Sequence, residues 1–160
     1  MNSIAEEVQK WLDESKAKII VNYDRDQMRA SGNFAKSLRT DVKETTGGII
    51  GLMVGSHYSL FVDNGRGKTN SSTKGAITLR ESIEQWIKVK GITPTDGISV
   101  KSLSFLIARK IHREGWKPKN SYPNGVISSV INQAEIDKLL ISLSKVAATN
   151  IRTEVWQTLG

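Results

Sequence analysis

Apolar residues recur every three or four positions over the first part of the chain, which predicts an amphipathic helix from about residue 3 to residue 24. Ser3 is a good N-cap, and Glu6 and Glu7 lie where the helix dipole favours negative charge. The apolar stripe consists of Ile4, Val8, Trp11 or Leu12, and Ile19, with Ser15 on the same face. We expect this stripe to pack against the rest of the fold or against a neighbouring subunit.

Two runs with β-strand character flank the pair Gly47 and Gly48, which predicts a β-hairpin. The first strand, about residues 37–44, alternates inward-facing side chains with charged ones. The second, about residues 49–54, is apolar on both faces, so we expect it in the interior of the sheet. A further short strand is predicted at residues 126–131.

Three later stretches have helical periodicity. Residues 78–90 form one predicted helix, with Trp86 as its main apolar anchor and Gly91 at the C-cap position. Residues 99–115 form a second helix, and the last helix extends from about residue 136 to residue 156. The order of elements predicts one α+β domain over residues 1–160. In it, a small antiparallel sheet, made of the hairpin plus the further short strand, packs against N-terminal, central and C-terminal helices.

A short apolar turn lies at the centre of the chain. Tyr58, Phe61 and Val62 recur at helical spacing, and Asp63-Asn64-Gly65 ends the turn. We expect these three side chains to be a packing anchor that holds Arg66 at the mouth of a polar loop.

Two segments lack the pattern of regular structure. Residues 67–75 are polar with nothing to bury, so we expect them to become ordered only against a partner. Residues 116–125 contain two prolines and are basic and aromatic, which is typical of a binding loop. The basic and aromatic residues at these segments are Arg66, Lys68, Lys74, Trp116, Lys117, Lys119 and Tyr122.

Composition adds charge to this picture. The chain has 23 Lys and Arg against 16 Asp and Glu, a net charge of +7, which favours acidic partners. The basic residues are spread along the sequence without a run of five like charges, so charge alone is weak evidence for DNA binding. Cysteine is absent, which excludes disulfides. With neither a signal peptide nor an apolar run near about 18 residues, we expect synthesis in the cytosol and no membrane contact.

Motifs for catalysis are weak. Gly67-Lys68-Thr69 ends like a Walker phosphate-binding loop, but Val62 stands where that motif requires glycine. The two histidines, His57 and His112, fall in no zinc-binding pattern, and no serine lies in a nucleophile-elbow pattern. We therefore expect no metal, no cofactor and no enzymatic activity.

An ordered set of residues across about residues 30–116 resembles the phage minor tail component family. These are the tail-completion, or neck, proteins encoded between the head–tail connector and the tail terminator in lambdoid and related phages. The set comprises Ser31-Gly32, Leu38, Val54-Gly55, Tyr58, Phe61-Val62, Gly65-Arg66, Ile83, Trp86-Ile87, Lys90-Gly91-Ile92, residues 105–111 and Gly115.

The resemblance implies a structural virion protein without catalytic residues, made in the bacterial cytoplasm and located in the neck or tail. Its subunits would form a six-fold or twelve-fold ring around the DNA passage and join the connector or adaptor to the tail terminator or tail tube. Non-specific contact with the genomic DNA is expected in the channel. Through the resemblance, Asp63, Arg66 and Lys68 are expected at the base of the loop that reaches an adjacent subunit or ring. The other candidate contacts come from the basic and aromatic residues of the two loops themselves, namely Lys74, Trp116, Lys117, Lys119 and Tyr122.

Two other functions stay open on the residues themselves. The basic loops, residues 66–74 and 116–125, are suitable for a nucleic-acid-binding module that contacts phosphates and stacks on bases. A small hydrolase or nuclease with a carboxylate site that matches no known motif is the third hypothesis.

Overall fold

The computed structural model describes residues 3–69, 78–95, 97–118 and 125–159. This part of the chain contains six helices and one two-stranded antiparallel sheet, which confirms the α+β class. The elements are α1 (Ile4–Arg25), α2 (Asn33–Ser37), β1 (Arg39–Thr45), β2 (Gly48–Val54), α3 (Ser59–Asn64), α4 (Leu79–Lys90), α5 (Val100–Glu114) and α6 (Gln133–Leu159). None of the described helices combines the length and apolar character needed to cross a bilayer.

Helix α1 begins at a capping box. The Ser3 hydroxyl accepts the Glu6 N–H at 3.1 Å, and the Glu6 carboxylate accepts the Ser3 N–H at 2.8 Å. Such caps satisfy backbone groups that a helix end leaves without partners. Leu12, Ile19 and Tyr23 are buried along one face, so the predicted apolar stripe packs against the fold.

The β-hairpin lies on α1. Its register places Arg39 opposite Val54 and Thr45 opposite Gly48 across a two-residue turn, which confirms the hairpin prediction. Gly51 permits the close approach of α1, because a β-carbon there would lie 2.9 Å from the Val8 side chain.

A polar contact joins the same two elements. The Thr40 hydroxyl donates to the Asp13 carboxylate, and the Gln9 side-chain amide donates to it as well. The hydrogen bond from Thr40, and to a smaller extent the one from Gln9, lowers the pKa of Asp13 because each stabilises the charged carboxylate.

Two expectations about the sheet are wrong. Residues 126–130 form turns instead of a strand, with the N–H groups of Val130 and Ile131 both bonded to the Ile127 carbonyl at 2.9 Å. The buried side chains, Val126 and Val130, are four residues apart, which suits a helical turn and not a strand. With only two strands in the described part of the chain, β2 is an edge strand, not an interior one.

The main core lies between α1, α2 and the 126–130 turn. It comprises Ile19, Tyr23, Phe34, Leu38, Val126 and Val130. The rings of Tyr23 and Phe34 lie with centroids 4.6 Å apart. Tyr58 and Val62 pack against this cluster, as the anchor hypothesis predicts, whereas Phe61 lies outside the cluster and is 45% exposed.

Helices α4 and α5 pack on each other as a helical hairpin. Thr78 caps α4 with a capping box, Gly91 ends α4 in the left-handed conformation, and Ser99 caps α5. The expectation that Trp86 is the main anchor of α4 is wrong. Ile87 is fully buried, whereas Trp86 is 39% exposed, because it faces a groove and not the helix pair.

We predict that Phe34→Ala lowers the free energy of unfolding by about 3–5 kcal/mol, because it removes a fully buried ring from the core. Phe105→Ala is the matched control. Its ring is half exposed on α5, so its loss should cost about 1 kcal/mol. Urea unfolding followed by circular dichroism measures both variants. Equal destabilisation by the two variants would show that the core is not where the structure puts it.

Candidate functional site

A groove of about 600 Å³ separates the α4–α5 hairpin from the body of the protein, which we define as α1 to α3, the 126–130 turn and the first half of α6. Tyr58, Phe61 and Val62 line the groove from the body side. Ile83 and Trp86 line it from α4. The residues predicted as a structural anchor therefore share one apolar groove.

A pair of backbone hydrogen bonds ties the hairpin to the body. The Arg66 N–H donates to the Trp116 carbonyl at 2.6 Å, and the Trp116 N–H donates to the Arg66 carbonyl at 2.7 Å. The two loops predicted as separate binding segments thus meet at one antiparallel bridge. Arg66, Trp116 and Lys117 all line the groove as a result.

Glycines on both sides of this bridge make it possible. Gly65 has a φ of 75° and Gly115 a φ of 79°, and residues other than glycine rarely adopt such values. A β-carbon on Gly115 would lie 2.5 Å from the Arg66 carbonyl oxygen, and one on Gly65 would overlap the Trp116 carbonyl oxygen. Both glycines belong to the set of residues that carries the family resemblance, but their pairing was not predicted from the sequence. The sequence did hold one signal of this pairing. The two glycines are 50 positions apart, and each directly precedes a predicted contact residue, Arg66 or Trp116.

Cationic side chains lie on the groove wall. The Arg66 guanidinium donates to the Thr69 hydroxyl at 2.9 Å, and the Thr69 N–H donates to the His112 carbonyl at 3.2 Å. The Lys90 ammonium donates to the Gln27 carbonyl at 2.5 Å, which is a second link between hairpin and body. Lys117 also lines the groove and is exposed.

Asp63 does not line the groove. Its carboxylate accepts a hydrogen bond from the Ile127 N–H at 2.7 Å and further hydrogen bonds from the N–H and the hydroxyl of Ser128. Gly125 has a φ of 89°, and a β-carbon there would overlap the Asp63 carboxylate. Asp63 therefore holds the 126–130 turn within the subunit. This internal role was not predicted from the sequence.

The remaining predicted contacts are not gathered at the groove. Lys68 is exposed and lies outside the groove lining. Lys74, Lys119 and Tyr122 lie outside the described residues. The structure therefore brings together Arg66, Trp116 and Lys117 from the predicted interface set.

The excess positive charge belongs to one part of the chain. Residues 65–118, which include the α4–α5 hairpin, hold 11 Lys and Arg against 4 Asp and Glu, whereas the rest of the chain holds 12 of each. The basic residues are spread along the sequence as expected, but their excess over acidic residues falls within residues 65–118. The hairpin side of the groove is therefore the basic side of the protein.

The groove has the composition of a binding site. Its wall is mostly aromatic and aliphatic, with a few polar groups, a composition typical of ligand and partner sites. Burial, with a further contribution from nearby Tyr58, raises the pKa of the Tyr23 phenol on this wall. In the described ranges no three His, Asp or Glu side chains lie close enough to hold a metal ion.

Comparison of the chain with protein-family models, with characterised proteins and with solved structures finds no match.

We predict that Gly115→Ala weakens the link between hairpin and body, because the new methyl group would force the Arg66–Trp116 bridge apart at a left-handed φ. The expected cost is about 1–3 kcal/mol in urea unfolding. Gly67→Ala is the matched control, because the added carbon meets no atom of the described residues within 4 Å beyond its chain neighbours, and it should stay within about 0.5 kcal/mol of the parent. If both variants unfold alike, the bridge contributes nothing measurable.

Proposed function

We propose that this protein is a structural subunit that assembles with copies of itself into a ring. The observation that supports this proposal most strongly is the amount of apolar surface left exposed at two separate places. Trp86, Phe105, Leu106 and Trp116 are exposed on the hairpin and groove, and Leu140, Ile141, Ile151, Val155 and Trp156 are exposed along α6.

Monomeric proteins rarely expose extensive apolar patches, and larger ones mark interaction sites. Two different surfaces on one subunit are what a head-to-tail ring requires, since each contact pairs one surface with the other. The groove supplies a concave surface and α6 supplies a convex one. Assembly of identical copies is therefore the function that this geometry supports best.

The resemblance of residues 30–116 to phage tail-completion proteins gives this ring a proposed location. There it would join the head connector or adaptor to the tail terminator or tail tube, at the neck or tail of the virion, around the DNA passage. A ring with six or twelve copies is the expected closure. In this role the protein catalyses no reaction, and Arg66, Trp116 and Lys117 serve as contact residues.

Nucleic-acid binding is a second candidate function, and the concentration of charge favours it. Residues 65–118 carry the whole net charge of +7, and Trp116 is 44% exposed beside Arg66 and Lys117. Cations neutralise phosphates, and an exposed indole can stack on a base. In a ring, the cations of residues 65–118 that do not line the groove would touch the DNA without reading its sequence.

We predict that the purified protein forms closed oligomers of one defined size as its concentration rises. Sedimentation velocity and native mass spectrometry would measure this size, and negative-stain microscopy would show the ring. The same measurements with a head-connector ring present should detect a larger joint complex. A protein that stays monomeric throughout, alone and with the connector, would contradict the proposed function.

We predict that any DNA affinity is independent of sequence and falls steeply with salt, because it rests on phosphate contacts. Fluorescence anisotropy with a labelled duplex at increasing salt measures this dependence. Tight binding by a monomer that never assembles would make nucleic-acid binding the primary function instead.

A further inference from the structure

The distal part of α6, residues 147–158, extends beyond the body. Helix α6 starts next to the end of α1, because the Asn22 side chain donates to the Val126 carbonyl and the Ser129 hydroxyl just before α6 begins. Ser142 then contacts Glu7, so the two helices are antiparallel. Helix α1 begins only three residues before Glu7, so α6 extends past it by about 14 residues, or about 20 Å.

This extension has an apolar stripe that nothing in the described structure covers. Ala148, Ile151 and Val155 follow the i, i+3, i+7 spacing of helices that dock into grooves, and Trp156 lies beside them. Trp156 is 73% exposed and Ile151 is 62% exposed. Tryptophan is the side chain most enriched among residues that dominate binding energy, particularly where it fills a pocket.

The groove is complementary to this stripe. Phe61, Trp86 and Trp116 offer it aromatic surface. Aromatic pairs in offset or edge contact add to the gain from burial. The groove can therefore hold an indole together with a helical aliphatic stripe.

The charges are complementary as well. Arg66, Lys90 and Lys117 on the groove wall suit the negative end of a helix dipole, which is the C-terminal end of α6, and the carboxylate of Glu154.

A subunit cannot place its own Trp156 in its own groove. Tyr23 and Asp26 of the groove lie at the end of α1, where α6 begins. Trp156 is 23 residues further along a continuous helix, about 35 Å away. The occupant must therefore come from another copy of the chain.

We propose that the distal part of α6 of one subunit docks into the groove of the next, with Trp156 between the body and the α4–α5 hairpin. The two surfaces lie at opposite ends of the body, so this contact is head-to-tail and can repeat from subunit to subunit, as a ring requires. The inference rests on the proposed self-assembly and adds which surfaces meet.

Two variants that damage different sides of this contact test the inference. Phe61→Asp places a carboxylate in the groove, and Trp156→Asp places one on the docking helix. Trp156 is 73% exposed, and Phe61 is 45% exposed and lies outside the buried core cluster, so circular dichroism and urea unfolding should show folded subunits. Leu60→Asp is the matched control. Leu60 is the neighbour of Phe61 and is 70% exposed, but it does not line the groove.

We expect each groove or helix variant alone to stay monomeric in sedimentation velocity, while Leu60→Asp assembles like the parent. An equimolar mixture of Phe61→Asp and Trp156→Asp should form a heterodimer and nothing larger. The intact helix of the Phe61→Asp variant can enter the intact groove of the Trp156→Asp variant. The groove and the helix that remain free in this heterodimer both carry a substitution, so no third subunit can join.

Each alternative result overturns the inference in a recognisable way. If the parent assembles but the mixture stays monomeric, α6 does not dock in the groove, although the proposed function stands. If Phe61→Asp assembles and Trp156→Asp does not, α6 pairs with another surface, such as a second α6. If the parent itself never assembles, the proposed function fails together with this inference.

Discussion

The Arg66–Trp116 backbone bridge is the contact on which the arrangement of this protein depends. It fixes the α4–α5 hairpin to the body at two chain positions 50 residues apart, with Lys90 as a second link. Because Gly65 and Gly115 carry no side chain, the two backbones can approach closely enough to pair. The bridge holds the hairpin beside the body without closing the space between them, and that space is the groove.

This arrangement separates stability from binding. Phe34, Ile19 and Val126 are fully buried in the body. Of the aromatic side chains that line the groove, Tyr23 is buried in the core, whereas Phe61, Trp86 and Trp116 stay partly exposed. Apolar area that the fold leaves in water remains available for a partner. The excess positive charge lies on the hairpin side, so partner contact and contact with nucleic acid would involve the same part of the molecule.

Local sequence signals predicted the β-hairpin and five of the six described helices but not α2, and long-range pairing limited the rest. The caps at Ser3, Thr78 and Ser99 act within one turn, so the helices could be recognised directly. The turn at residues 126–130 was mistaken for a strand because its shape depends on the Asp63 carboxylate, more than 60 positions away. Arg66, Trp116 and Lys117 were named individually from the sequence, but their meeting in the groove depends on the Arg66–Trp116 bridge, which no local pattern encodes.

Hydrogen–deuterium exchange of the assembled protein against the dilute monomer measures most directly whether the groove and the distal part of α6 are the assembly surfaces. We predict slower exchange in residues 59–66, in α4 and in residues 147–158, because docking suppresses fraying of the extended helix and opening of the groove. Exchange at the edge of β2 should stay unchanged. Slower exchange at β2, with none at the groove or at α6, would contradict this arrangement.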